Sequence, residues 1–230
     1  MTQSPSADPP RPSDGTSPRS AKGRLVTIEG LDGAGKSTLA KALASELERR
    51  GMRVALLREP GGVTLSERIR ELVKDATLEV GARAEALLYA AARAELVQER
   101  IAPLLDEGAL VLLDRFVDSS LAYQGAGREL GIEQVRQINL FATAGLSPDR
   151  TLLLRVAPAT GRARQDGRGE EPDRLEREGD HFFEAIARAY EELARDEPAR
   201  IRTIDAEQPP RRVLEQALSE IEDLLDSMNT

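Results

Sequence analysis

One short segment, Gly30-Leu-Asp-Gly-Ala-Gly-Lys36-Ser37, constrains this chain more than any other. It fits the spacing G-x-x-x-x-G-K-[ST] and lies between the apolar run LVTI at 25–28 and an amphipathic stretch at 37–50 that Gly51 stops. Strand, glycine-rich loop and helix in that order are the setting in which such a loop cradles phosphate. Glycines at 30, 33 and 35 let the backbone wrap an anion, and the helix start aims its free amides and positive dipole end at it. Lys36 is placed to neutralise β/γ-phosphate oxygens and the Ser37 hydroxyl to ligate magnesium. The expectation is ATP with Mg2+, held by Gly30, Gly33, Ala34, Gly35, Lys36, Ser37 and Thr38.

From Arg24 onward, short apolar runs alternate with longer amphipathic ones. After the first strand and helix come VALL at 54–57, a helix over 64–75 opened by a capping box at Thr64 and Glu67, and an alanine-rich helix over 82–100 with Pro103 near its end. The strand ALVLLD at 109–114, helical segments at 131–144, 159–165 and 179–195, strands at 151–156 and 201–205, and a last helix at 210–226 complete the pattern. Five strands with crossover helices predict an α/β protein, a three-layer α/β/α sandwich on a parallel sheet. No repeat or internal linker interrupts it, so 23–230 is expected to be one domain. Residues 1–22 hold five prolines and five serines without apolar periodicity, the composition of a disordered tail.

Composition narrows the function further. There are no cysteines, which excludes thiolate metal sites and cysteine nucleophiles and leaves oxygen to hold any metal. A net charge of −8 opposes a general nucleic-acid or anionic-membrane surface, so an anionic substrate needs a locally basic pocket. The longest apolar run, 86–92, is far shorter than the ~20 residues of a spanning helix, and the tail lacks the apolar core of a secretion signal. A soluble, cytoplasmic protein with neither nucleic-acid nor membrane partner is the expectation.

What is missing selects among nucleotide enzymes. The only asparagines, Asn139 and Asn229, are not in an Asn-Lys-x-Asp element, which excludes a guanine-specific switch. There is no Leu-Ser-Gly-Gly-Gln segment, and the chain is too short for helicase architecture; a small kinase remains. Beside GLDGAGKST the chain carries REPGG at 58–62, LLYAAAR at 87–93, DRF at 114–116 followed by SSLAYQGAGR, and PDRTLLL at 148–154. Together these closely resemble thymidylate kinase, from about Leu25 to the final helix. The resemblance implies a P-loop kinase fold with a mobile lid, phosphorylation of dTMP to dTDP by ATP and magnesium, and a homodimer.

The acceptor-side residues also bear reading on their own. Asp114 ends a buried strand beside the phosphate loop, where a carboxylate can hold a magnesium hydration shell or simply cap a turn. Arg115 resembles the family arginine that reaches both sets of phosphates; a surface ion pair is its plainer role. Tyr89 and Arg93, four apart on one helix, share a face, and by resemblance supply the thymine stack and a contact to O4, although a tyrosine there can equally be core. Arg58 and Arg70 resemble the acceptor-phosphate contacts, and Pro60 the residue near the base methyl. Tyr123 resembles the aromatic beneath the sugar that disfavours a 2′-hydroxyl, while Ser120 and Gln124 are candidates for hydrogen bonds to the base. Asp32 resembles the carboxylate near the acceptor sugar and the metal-bound phosphates.

The segment at 161–178 has the glycines, proline and mixed charge of a hinged lid. Because position 33 is glycine, where one branch of the family carries arginine, the transition-state cation must come from elsewhere. Arg168 is the leading candidate, with Arg162 and Arg164 behind it, although the extra EEP around Pro172 disturbs the family spacing. The catalytic set is therefore Lys36, Arg115, Arg168 and Asp32. A monophosphate acceptor is already a dianion and needs no base, in keeping with a single histidine, His181. A nucleoside acceptor would shift attention to Asp32 or Glu59 as base, and a nucleotide-binding regulator would need none of this apparatus.

Overall fold

The computed structural model describes residues 23–167 and 173–228. The predicted tail and Arg168 lie outside the described residues. Five strands, β1 (Arg24–Gly30), β2 (Val54–Arg58), β3 (Leu110–Asp114), β4 (Arg150–Arg155) and β5 (Ile201–Asp205), form one sheet in the order β2-β3-β1-β4-β5, parallel throughout. β3 and β4 flank β1 on opposite sides, so the chain changes direction across the sheet at β1. In such sheets the crevice beyond the carboxyl ends at this switch point is where ligands bind.

The helices are α1 (Lys36–Arg49), α2 (Thr64–Lys74), α3 (Ala82–Leu96), α4 (Ala102–Asp106), α5 (Val117–Ser120), α6 (Ile132–Ala142), α7 (Pro158–Asp166), α8 (Asp180–Asp196), α9 (Pro210–Ser219) and α10 (Glu222–Met228). Alternation along the strands divides the core. Val26, Ile28, Leu110 and Leu112 pack with α1, α8 and α9, while Leu25, Val111 and Leu113 face Leu96 of α3, Leu105 of α4 and Ile101 between them. Period-two side chains covered on both faces give the three layers.

Four local features differ from the sequence expectation. Thr64 does not cap α2; the cap is extended Val63 with no side-chain bond, and Glu67 instead accepts from the Gly62 N–H at 2.8 Å and from Arg58. The long helix does not stop near Arg100, because a π-helical turn at Val97–Ile101 carries it on into α4, and Pro103 follows just after that wider turn. The motif SSLAYQGAGR is itself helical, α5 running into a π-helical segment at Leu121–Gly127. The last helix breaks between α9 and α10.

Candidate active site

Leaving β1 at Gly30, the chain turns through the phosphate loop and enters α1 with Gly35 in the left-handed region and no side-chain cap. The first amides of α1 are thus left for an external acceptor, which makes a helix start an anion site. Lys36 folds back along the loop, its Nζ donating to the carbonyl oxygens of Gly30 (3.1 Å) and Leu31 (2.8 Å) and lying 3.9 Å from Asp32. Burial and the Arg115 charge lower its pKa to about 8, against the opposite pull of Asp32, Asp114 and Glu29.

β3 delivers the facing segment. Asp114 Oδ2 accepts the Ser37 hydroxyl at 2.5 Å, bringing the two candidate metal ligands together. Among the described residues no group of three or more His, Cys, Asp or Glu could hold a metal unaided. One hydroxyl and one carboxylate are the sparse, hard donor set that suits magnesium, an ion that keeps waters and takes phosphate oxygens. The next residue, Arg115, has φ 70°, a strained left-handed conformation for a residue with a side chain. Its N–H donates to Ile28 O at 3.0 Å, and its guanidinium donates to Gly30 O (3.2 Å), Ser119 Oγ (2.9 Å) and the Tyr123 hydroxyl (3.1 Å) while pairing with Asp32. It also lies over the Tyr123 ring, 4.9 Å from the centroid.

The Tyr123 hydroxyl in turn donates to Asp32 Oδ2 at 2.7 Å, closing a triangle of Asp32, Arg115 and Tyr123. Burial would raise the Asp32 pKa, but Arg115, Lys36 and these hydrogen bonds hold it well below the usual carboxylate range. Beneath the triangle, buried Glu29 accepts from Phe116 N (2.7 Å) and from Ser119 Oγ (2.5 Å), fixing the turn that presents Arg115. Burial and the neighbouring Asp118 charge raise the Glu29 pKa. Neither Glu29 nor Ser119 was singled out by sequence. The only signal was a charged residue inside an apolar strand.

A cavity of about 570 Å³ opens beside the phosphate loop, with Arg58, Pro60, Arg70, Tyr89, Tyr123 and Gln124 in its wall. Arg58 and Arg70 both donate to Pro60 O at 3.0 Å, so two guanidiniums converge at one end. Lys41, Lys74 and Ser119 also reach this cavity, none of them expected from sequence. Two expected residues do not line it. Arg93 is 2% exposed, and its N–H groups are committed to Glu59 (2.8 Å from Nε), Ser120 (2.9 Å), Asn139 and Phe116 O (3.0 Å). Arg93 and Ser120 therefore stand behind the wall. The buried Glu59 draws the guanidinium inward, and that burial raises the Glu59 pKa to about 7 despite Arg93.

Asp173, Leu175 and Glu176 border this cavity. Asp173 pairs with Lys74 at 2.8 Å, Arg174 Nε donates to Val73 O at 3.1 Å, and Leu175 and Glu176 line the cavity. Earlier in the chain, α7 crosses the phosphate loop so closely that a Cβ on Gly33 would meet Gly161 O at 2.1 Å, and one on Gly161 would meet Asp32 O at 2.7 Å. This contact leaves no room for a side chain at position 33. Arg162 pairs with Asp180 at 2.5 Å and Arg164 donates to Ala206 O at 3.1 Å; neither lines the acceptor cavity.

A cationic phosphate loop facing a basic, aromatic-walled cavity, with a cation held between them, is suited to moving a phosphoryl group from one anion to another. That is the chemistry of the small P-loop phosphotransferases. The family model described as thymidylate kinase matches residues 28–217, so the chain belongs to the thymidylate kinase family. It is 46% identical to the thymidylate kinase of Latilactobacillus sakei over 202 residues, covering 86% of this chain and 94% of that one. To the thymidylate kinase of Alkalilimnicola ehrlichii it is 47% identical over 210 residues, covering 91% and 95% respectively. The crystal structure of the Ehrlichia chaffeensis thymidylate kinase superposes with a TM-score of 0.68 at 27% identity, covering 86% of this chain and 97% of that one.

Proposed function

We propose that this chain transfers the γ-phosphoryl group of ATP to dTMP, giving dTDP and ADP, with ATP on residues 30–38 and dTMP in the neighbouring cavity. The observation that supports the reading is the Asp32, Arg115, Tyr123 triangle, which holds a guanidinium beside both the phosphate loop and the neighbouring cavity. Such transfers pass through a loose, highly charged transition state, and positioning plus charge stabilisation supply nearly all the catalysis. Lys36 holds the donor phosphates and Arg115 bridges donor and acceptor. Asp32 keeps Arg115 and Tyr123 in register, and Arg168 is the candidate lid cation. Magnesium, held by Ser37 and Asp114, would supply further charge neutralisation on the donor phosphates. The acceptor dianion attacks without a base, and the lone histidine, His181, is exposed on α8.

On the acceptor side, Arg58 and Arg70 take the phosphate, Tyr89 stacks on the base, Pro60 packs near its methyl group and Tyr123 lies under the sugar. Gln124 bonds the base, while Arg93, bonded to both Ser120 and Glu59, holds the wall behind it. Residues 23–230 act as one domain with its lid at 161–178. A homodimer fits the neighbouring helices α2, α3 and α6, which carry Leu65, Leu72, Leu87, Leu140 and Phe141 exposed. Among the described residues no helix is long and apolar enough to cross a membrane, which fits a cytoplasmic location.

A coupled assay of ADP release tests the reading, comparing dTMP with dUMP, UMP, dCMP, dGMP and AMP. Strong preference for dTMP is expected, with Lys36→Ala slowed by roughly 100-fold or more and Arg168→Ala also severely slowed. Preferred turnover of another monophosphate, or ATP binding with no acceptor used, would overturn it.

A further inference from the structure

Glu85 is a charged residue with no exposed surface, on the first turn of α3 behind the acceptor cavity. Burying a carboxylate is costly unless partners offset it, and three side chains from different parts of the chain surround it, Gln124 and Arg128 by hydrogen bonds and Arg174 as an ion pair. Gln124 Nε2 donates to Glu85 Oε1 at 2.9 Å; Arg128 donates through Nε to both oxygens and lies 3.1 Å away through its terminal nitrogen; and Arg174, from the lid, lies 2.7 Å from Oε2. A second carboxylate, Glu178, pairs with Arg128 from the same stretch of lid.

The bond to Gln124 has a chemical consequence. A side-chain amide presents a donor at one end and an acceptor at the other, and density or packing alone does not distinguish them. A carboxylate between two guanidiniums can only accept, so it takes the NH2 end of Gln124. The carbonyl oxygen, which has no protein partner among the described residues, is thereby left for the cavity that Gln124 lines.

We propose that Glu85 is the positioning residue for base selection: it fixes Gln124 as a hydrogen-bond acceptor toward the base and ties that orientation to the seated lid through Arg174. The inference rests on the acceptor reading above. An acceptor at this point favours a pyrimidine whose ring nitrogen N3 carries hydrogen, as in thymine and uracil. It opposes cytosine, which presents a lone pair there. Because Arg174 shares the same carboxylate, docking of residues 173–178 and orientation of Gln124 support one another. Sites that demand a particular hydrogen bond discriminate far more sharply than sites that only fit shape.

The test is the ratio of kcat/KM for dTMP over dCMP, two acceptors alike in sugar and phosphate, in the wild type and in Glu85→Gln. The neutral amide no longer dictates which end of Gln124 turns inward. The ratio is expected to fall by roughly 10-fold or more, mainly through a higher KM for dTMP, with KM for ATP little changed. Glu85→Asp, which keeps the charge for both arginines but withdraws the carboxylate from Gln124, is expected to lower the ratio in the same direction. If dTMP and dCMP slow in equal proportion in both variants, or if neither variant folds by circular dichroism, Glu85 is only structural and the proposal is overturned. A wild type that releases ADP with dTMP but shows no preference over dCMP also overturns it. A wild type that uses no dTMP at all overturns the acceptor reading itself.

Discussion

Lys36 sits among four charged side chains with little water to screen them, and its pKa of about 8 is the result. Phosphate binds the protonated form, so the sign of the pH dependence follows directly. kcat/KM for ATP should be level from about pH 6.5 to 7.5 and fall above about pH 8, approaching one decade per unit, as the free protein loses that proton. Lys36→Arg, whose charge persists to much higher pH, should remove that alkaline limb even though its longer side chain lowers the rate. A profile that stays level to pH 9.5 in the wild type would show that Lys36 does not titrate in this range. The neighbouring residues show where residue-level reading stops. Tyr89 and Arg93 are legible as one helical stripe, yet only Tyr89 meets the cavity. Arg93 is turned inward by Glu59, a partner 34 positions away that no local pattern reveals.

At the scale of elements, α7 crosses the phosphate loop at close range, which ties the start of the proposed lid to the proposed nucleotide site. Gly33 has φ +77° and faces Gly161 backbone, so neither position tolerates a Cβ without displacing the other segment. Gly161→Ala should raise KM for ATP and lower kcat together, because the loop and the helix must separate by several tenths of an ångström. Gly33→Ala, tighter and at a positive φ, should be the more severely affected of the two. Steady-state kinetics with ATP varied at saturating dTMP checks this; equal effects in the two variants, or none, would count against the coupling. Elements with a strong period were legible: α1, α8 and all five strands lie within a residue or two of their expected bounds. The π-helical turn at Val97–Ile101 and the helical run from Val117 to Gly127 were not. The first lies just ahead of Pro103, a residue that usually signals an end, and the second is rich in glycine and serine, which favour turns. Tertiary packing of Leu121, Ala122 and Tyr123 into the core overrides that preference.

For the whole molecule, the unresolved balance is between burial and exposure of apolar side chains. Phe141 at 91% exposure and Leu140 at 53% stand together near the end of α6. Isolated exposed leucines are ordinary, whereas a bare phenylalanine next to an exposed leucine on α6, a helix packed against α3, is the feature that supports the proposed second copy. Phe141→Glu should shift the sedimentation profile at micromolar concentration from dimer to single chains while leaving far-UV circular dichroism unchanged. A wild type that sediments as a single chain would overturn the dimer. The net charge of −8 opposes an anionic ligand, yet the site concentrates Arg58, Arg70, Arg115, Lys36, Lys41 and Lys74 around one cavity. Asp32, Glu59, Asp114, Asp173 and Glu176 line the same cavity, so the fold meets the need for positive charge by where the six cations converge rather than by a large local excess.

The sequence by itself determined the sheet, the phosphate loop and the family, because each depends on short-range periodicity or on contiguous residues whose spacing is the chemistry. It also placed Ser37 at the start of the helix after the phosphate loop and Asp114 and Arg115 at the end of the strand that faces it. Only the tertiary structure decided which polar residues line the cavity and which stand behind it. Arg93, Ser120, Glu29 and Glu85 are all buried beneath the site, and a buried charge takes its direction from partners that lie far away in the chain.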